Sequence, residues 1–220
     1  MTHEESSLNP KEVVWEEKLR SLENIVDRIG RHIDKEIMET LVAFDVSNIP
    51  TDSSCGGHLE TERMRFPYVS GEANGRPQYA YVGQADIENE IAKKHGINQK
   101  EIRDNIKAKK EYRARLEECE LSEEFKVWRT NDQALPMSVA ALLEEFYQTR
   151  GDSMGVRLCL RERMAIGYYM VTDNYLRPKE TSKQVEATQE ELDEIKAKII
   201  DARAEFKAFA DFLKQKFLTE

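Results

Sequence analysis

An α+β fold is predicted, with an antiparallel sheet of about four strands covered by helices and the long N- and C-terminal helices packed together. Three features of the sequence point to it. Apolar residues recur every three or four positions from Trp15 to Phe44. A second stripe with the same spacing runs from Leu192 to Leu213. Between them lie four short segments rich in β-formers: Arg63–Val69, Gln78–Val82, Val156–Leu160 and Ala165–Val171.

The N-terminal helix begins at Asn9-Pro10-Lys11-Glu12, where an Asn cap, a proline in the first helical position and a glutamate spaced for a capping box coincide. Its stripe comprises Trp15, Leu19, Leu22, Val26, Ile29, Ile33, Ile37, Leu41 and Phe44, and Ile49-Pro50 ends it. Gly30 marks a bend or junction, so one long helix and two abutting helices both fit. Arg63 to Val69 alternates basic and apolar side chains, the period of a half-buried strand, and Pro67 confines it to an edge or an end. The turn-rich run Ser70 to Pro77 makes Gln78–Val82 the returning strand of a hairpin. Asp86 to Glu124 is helical and highly charged, broken at His95-Gly96 and restarted at Asn98 with Glu101 spaced for a capping box. A further helix is expected from Pro136 to Gln148. Thr188-Gln189-Glu190-Glu191 opens the last helix, whose seam is Leu192, Ile195, Ile199, Ala202, Phe206, Phe209 and Leu213. That seam either packs across its own domain or serves as a homodimer interface.

At 220 residues the length favours a single domain over 1–220, with helical flanks at 10–46 and 183–219 around a mixed region at 47–180. The net charge of -9 argues against nucleic acid as a partner, although a local arginine patch can still hold a small anion. The three cysteines, Cys55, Cys119 and Cys159, are widely spaced and form no CxxC pair, which suits reduced thiols and a cytoplasmic location. The acidic N-terminus has no apolar signal core, and no stretch approaches the roughly 18 apolar residues that a membrane span requires.

Chemistry concentrates in Thr51-Asp52-Ser53-Ser54-Cys55-Gly56-Gly57-His58. Gly56 and Gly57 permit backbone conformations in which successive N–H groups turn inward as an anion-binding nest, and Ser53 and Ser54 add hydroxyl donors. Cys55 is the candidate nucleophile, its pKa lowered by such a setting, with His58 as its base. Arg63 and Arg65 share a strand face beside the loop, as do Arg157, Cys159, Arg161 and Arg163, and coincident faces would form a cationic platform for a carboxylate or phosphate. The plain alternative is a tight turn in which Cys55 fills a small hole, His58 lies at the surface and the arginines are solvated. Cys55-x-x-His58 has half the spacing of a zinc site but no second pair at ligand spacing, so no metal is assigned and any cofactor is left open. A cysteine-phosphatase loop is excluded because Thr61 stands where its arginine is needed, and no GxGxxG, GxxxxGK[ST], HExxH or GxSxG string occurs.

The string Ile49-Pro50-Thr51-x-x-Ser54-Cys55-x-Gly57-His58, followed by Phe66-Pro67-Tyr68-Val69, resembles a T-x-x-S-C-x-G-H motif of uncharacterised bacterial and phage proteins. Leu142-Leu143-Glu144-Glu145-Phe146-Tyr147 is similar to a segment of the same group. The resemblance implies a bacterial cytoplasmic protein in which Ser54, Cys55, Gly57 and His58 act as a unit. Ser53, Ser54, Cys55 and Gly57 also match part of the S-S-C-S-G-R string of the wybutosine-synthesis tRNA methyltransferase family, with Gly56 and His58 replacing the Ser after its Cys and its Arg. That weaker similarity implies RNA modification. The expectation from the residues themselves is a small anionic ligand at the Ser53–His58 loop, and the competing one is an interaction protein assembling through its helical seams.

Overall fold

A computed structural model of the protein describes residues 9–26, 30–60, 64–150, 155–161, 167–173 and 188–220. Its elements, in chain order, are α1 (Pro10–Glu23), α2 (Lys35–Val46), β1 (Ser53–Cys55), β2 (Tyr68–Gly71), α3 (Gln84–His95), a 3₁₀ turn (Gln99–Arg103), α4 (Ile106–Glu117), α5 (Glu123–Arg150), β3 (Leu158–Arg161), β4 (Tyr168–Thr172) and α6 (Gln189–Thr219). This is an α+β fold with one four-stranded antiparallel sheet, in the order β1-β2-β4-β3. The chain forms two compact units, one of residues 1–72 with 134–220 and one of residues 73–133.

In the first unit the capping signals act where the sequence puts them. The Asn9 side chain accepts from the Lys11 N–H at 3.0 Å while Glu12 reaches back to the Asn9 N–H, and Thr188 with Glu191 repeats the reciprocal arrangement on α6. The first apolar stripe is divided between two helices. α1 stops at Asn24, and a single antiparallel bridge between Val26 and His32 carries the chain across to α2. α2 packs on α6 and α1 packs on α2, so the N- and C-terminal helices lie together. Their stripes meet in one core with the sheet: Trp15, Leu41, Phe44, Val139, Phe146, Tyr168, Phe206, Phe209 and Leu213 are buried in it. Phe209 sets its ring edge-on to Phe44 and Phe146 at centroid distances of 5.9 and 5.3 Å. The seam of α6 is therefore covered inside its own chain, Ile199, Ala202, Phe206 and Phe209 being fully buried.

The strand pairing departs from expectation in one place. Gln78–Val82 is not a strand of the sheet; the partner of β2 is β1, with Ser53 opposite Ser70 and Cys55 opposite Tyr68. The N–H groups of Ala80 and Tyr81 are taken by the Gln84 side chain, and Tyr81 makes only an isolated bridge to Leu121, so this stretch has no ladder to offer a sheet. β2 also starts later than the alternation suggests, at Tyr68, because Pro67 has no N–H for the ladder. The helix expected from Pro136 begins instead at Glu123, with Pro136 inside it and Ser122 accepting the Phe125 N–H at its start. In the second unit Ile87, Ile91, Ala92, Ile102 and Ala108 form a small core of their own. There Asp132, 1% exposed, accepts the Ala73 N–H at 2.8 Å, and the Trp128 indole donates to the Ala73 carbonyl. Among the described residues no helix is long and apolar enough to cross a membrane.

Candidate functional site

The polar run is an edge strand followed by a turn. β1 ends at Cys55, whose side chain is buried, and Gly56 and Gly57 turn the chain so that His58 forms a two-bond bridge with Arg65. Each glycine is dictated by its surroundings. A Cβ on Gly56 would lie 2.8 Å from Asp34 Cβ and 3.2 Å from Glu36 Cβ. Gly57 has φ +84°, and a Cβ there would meet the Arg65 carbonyl oxygen and Ile199 Cγ2, both at 3.1 Å.

The glycine backbone is satisfied from within the protein. Gly56 N–H donates to Asp34 Oδ2 at 2.8 Å, and the Gly57 N–H favours the Cys55 thiolate. Arg203 of α6 forks across both carbonyls, Nε donating to Gly56 O at 2.9 Å and an Nη to Gly57 O at 2.8 Å, with Glu36 3.6 Å from its other Nη. The nest expected for an external anion thus already holds a carboxylate, that of Asp34. This residue occupies the N-cap position of α2 yet makes no capping hydrogen bond there; its oxygen is turned to the loop instead.

Asp34, Cys55 and His58 converge. One donor atom from each lies within 4.8 Å of the other two, and His58 Nε2 is 4.0 Å from Asp34 Oδ2. Burial pushes the Cys55 thiol above its ordinary range, and the nearby Asp34 charge adds to this, partly opposed by the Gly57 N–H and Arg65. The lowered pKa expected of a nucleophile in a donor-rich loop is reversed here, because the loop's donors are shared with a carboxylate and the sulfur lies inside the protein.

Beside this cluster is a cavity of about 580 Å³. Ser53, Ser54, Cys55, His58 and Arg65 line it, as do Arg31, His32, Asp34, Asp52 and Tyr68. Leu22, Ile25, Val26, Ile33 and Leu41 supply an apolar side from α1, α2 and the chain between them. Ser53 Oγ and the Tyr68 hydroxyl share a hydrogen bond of 3.1 Å, the Arg65 guanidinium lies 5.9 Å from the Tyr68 ring centre, and Ser70 Oγ donates to Asp52.

Of the residues singled out by sequence, Ser53, Ser54, Cys55, His58 and Arg65 are therefore gathered at one cavity, while Gly56 and Gly57 form the turn between Cys55 and His58 and do not line it. Arg63 and Arg163 lie outside the described residues. The cationic platform does not form from Arg157 and Arg161, because β3 is the opposite edge of the sheet from β1 and Arg157 stacks on the Tyr147 ring at 4.2 Å. Sequence reasoning missed Asp34, Arg31, His32, Tyr68 and Arg203. Only Asp34 carried a local signal, an acidic residue directly before a helix, and that signal points to capping. No family model, curated protein or solved structure matches this chain.

Proposed function

We propose that the first unit binds a small ligand bearing a carboxylate or phosphate in the cavity beside Cys55. The observation that carries this reading is the wall itself: in a chain of net charge -9, Arg31, Arg65, His32 and His58 face one space together with the hydroxyls of Ser53, Ser54 and Tyr68. Its volume, about 580 Å³, is within the roughly 300–1,000 Å³ range of small-molecule sites. Arg65 supplies planar paired donors for the anionic group, the serine hydroxyls and His58 supply directional hydrogen bonds, and the side formed by Leu22, Ile25 and Ile33 takes the apolar remainder. Asp34 does not repel the anion strongly, since its charge is shared with the Gly56 N–H and the Cys55 thiol. Cys55 is a wall contact in this reading, and no reaction is assigned to it.

The test is a titration of the metal-free protein with inorganic phosphate and with succinate, following backbone amide shifts of residues 51–58. Saturable shifts at these positions that weaken with added salt and vanish in Arg65→Gln are expected. Shifts that stay flat for both anions, or that persist in Arg65→Gln, would overturn the reading.

A further inference from the structure

Asp34, Cys55 and His58 bring a carboxylate, a thiol and an imidazole to one point, a donor set that neither the Ser-Cys-Gly-His string nor the anionic reading requires. Their donor atoms lie within 4.8 Å of one another, and all three residues line the cavity. We infer that they form a site for a thiophilic divalent cation, zinc being the best match, with three protein ligands and a fourth position open to the cavity. Sulfur, nitrogen and oxygen donors in this mixture suit zinc, and three protein ligands with one open position is the arrangement of reactive rather than purely structural zinc sites. Calcium and magnesium, which take oxygen ligands, are disfavoured by the sulfur.

Bond lengths of about 2.0–2.3 Å place tetrahedral donors roughly 3.3–3.7 Å apart. The 4.0 Å between His58 Nε2 and Asp34 Oδ2 exceeds this spacing by about 0.3–0.7 Å, and no pair of the three donor atoms, all within 4.8 Å of one another, exceeds it by more than about 1.5 Å. Both side chains are only partly buried, so small rotations close the gap. The supports of a metal site are also in place. The Gly56 N–H holds the Asp34 carboxylate, the Gly57 N–H favours the thiolate form of Cys55, and Arg203 fixes the turn that carries both glycines. Binding replaces the Cys55 S–H bond with a sulfur–metal bond and releases that proton to solvent. The loaded cluster is then neutral, the two charges of the cation being cancelled by one thiolate and one carboxylate. Arg65 keeps its attraction for an anion, whose oxygen can occupy the fourth position.

The experiment is titration of chelator-treated protein with cobalt(II) in an anion-free buffer, observed by absorption, followed by displacement with zinc. One cobalt per chain is expected, with thiolate-to-cobalt charge transfer in the near ultraviolet. Cys55→Ser should abolish that band, and Asp34→Asn should weaken binding by more than the roughly 10–100-fold that loss of an outer-shell partner costs. A chain carrying Cys119→Ser with Cys159→Ser should keep the band, which identifies the sulfur without disturbing the site. Absence of the band in the wild-type protein, its survival in Cys55→Ser, or its loss in the double variant would overturn the inference. Because phosphate and succinate are tested without metal and cobalt without anion, either reading can fail alone.

Discussion

Replacing Arg203 by Met removes the fork that holds the Gly56-Gly57 turn, and the size of the effect can be worked from the geometry. Two charge-assisted hydrogen bonds, at 2.9 and 2.8 Å, end on carbonyls of buried glycines that water cannot readily reach once the guanidinium is gone. Each such bond is worth about 1.5–3 kcal/mol. The pair with Glu36, at 3.6 Å and with the glutamate half exposed, adds about 0.5 kcal/mol at most. Methionine replaces the apolar stem, so the packing loss is small. The first unit should lose about 3 kcal/mol, the lower part of the summed range, because part of each carbonyl's loss is recovered by relaxation. Urea unfolding followed by Trp15 fluorescence, with Trp128 changed to Phe so that only the first unit reports, is the assay. With a urea slope of about 2 kcal/mol/M the midpoint should fall by about 1.5 M. Arg203→Lys, which keeps the charge but not the planar fork, should lose about half as much. A loss below about 0.5 kcal/mol for Arg203→Met would refute the clamp, since that is the range of an ordinary surface substitution.

Four further outcomes follow from the same structure. Gly57→Ala should cost about 1–2 kcal/mol from its φ of +84° alone, with crowding against the Arg65 carbonyl adding to it, and a neutral result in urea unfolding would contradict the turn geometry. Tyr147→Phe removes the hydroxyl that donates to buried Glu205 and accepts the Leu158 N–H, and should destabilise the first unit by about 1–3 kcal/mol; wild-type stability would mean that the link between α5, β3 and α6 is dispensable. With metal removed, alkylation of Cys55 should be slow at neutral pH and rise through a midpoint above that of a free thiol, since burial and Asp34 favour the protonated form; half-maximal reaction below neutrality would contradict this. Phe206→Glu should unfold the first unit rather than dissociate an oligomer, because the ring is fully buried within its own chain; a folded variant with lowered mass in sedimentation would place the seam between chains instead.

Where a local pattern and the tertiary environment demand the same thing, the sequence was sufficient. The capping boxes at Asn9 and Thr188 depend on residues three positions apart, and the helical stripes around Trp15 and Phe206 are apolar because their faces are buried, so both were legible from the sequence. The α+β class was legible as well, but the count of four strands agrees only because β1, inside the polar run, stands in for Gln78–Val82. Strand partnership was not legible, because alternation marks a strand without naming its neighbour: β2 pairs with the three-residue β1 inside an apparent loop, and Gln78–Val82 is satisfied by Gln84.

The site divides along the same line. Ser53, Ser54, Cys55, Gly56, Gly57 and His58 are contiguous and chemically conspicuous, so the sequence determined where to look. What the loop does with its donors was decided by residues far away in the chain. Asp34 occupies the nest that would otherwise face a ligand, and Arg203, 147 positions from Gly56, takes its carbonyl. No local pattern announces such contacts, since an acid before a helix and an arginine within one each have an ordinary local reading. Only packing α2 and α6 on the sheet puts their side chains on the loop, turning an expected thiolate nest into a buried thiol beside a carboxylate and an imidazole.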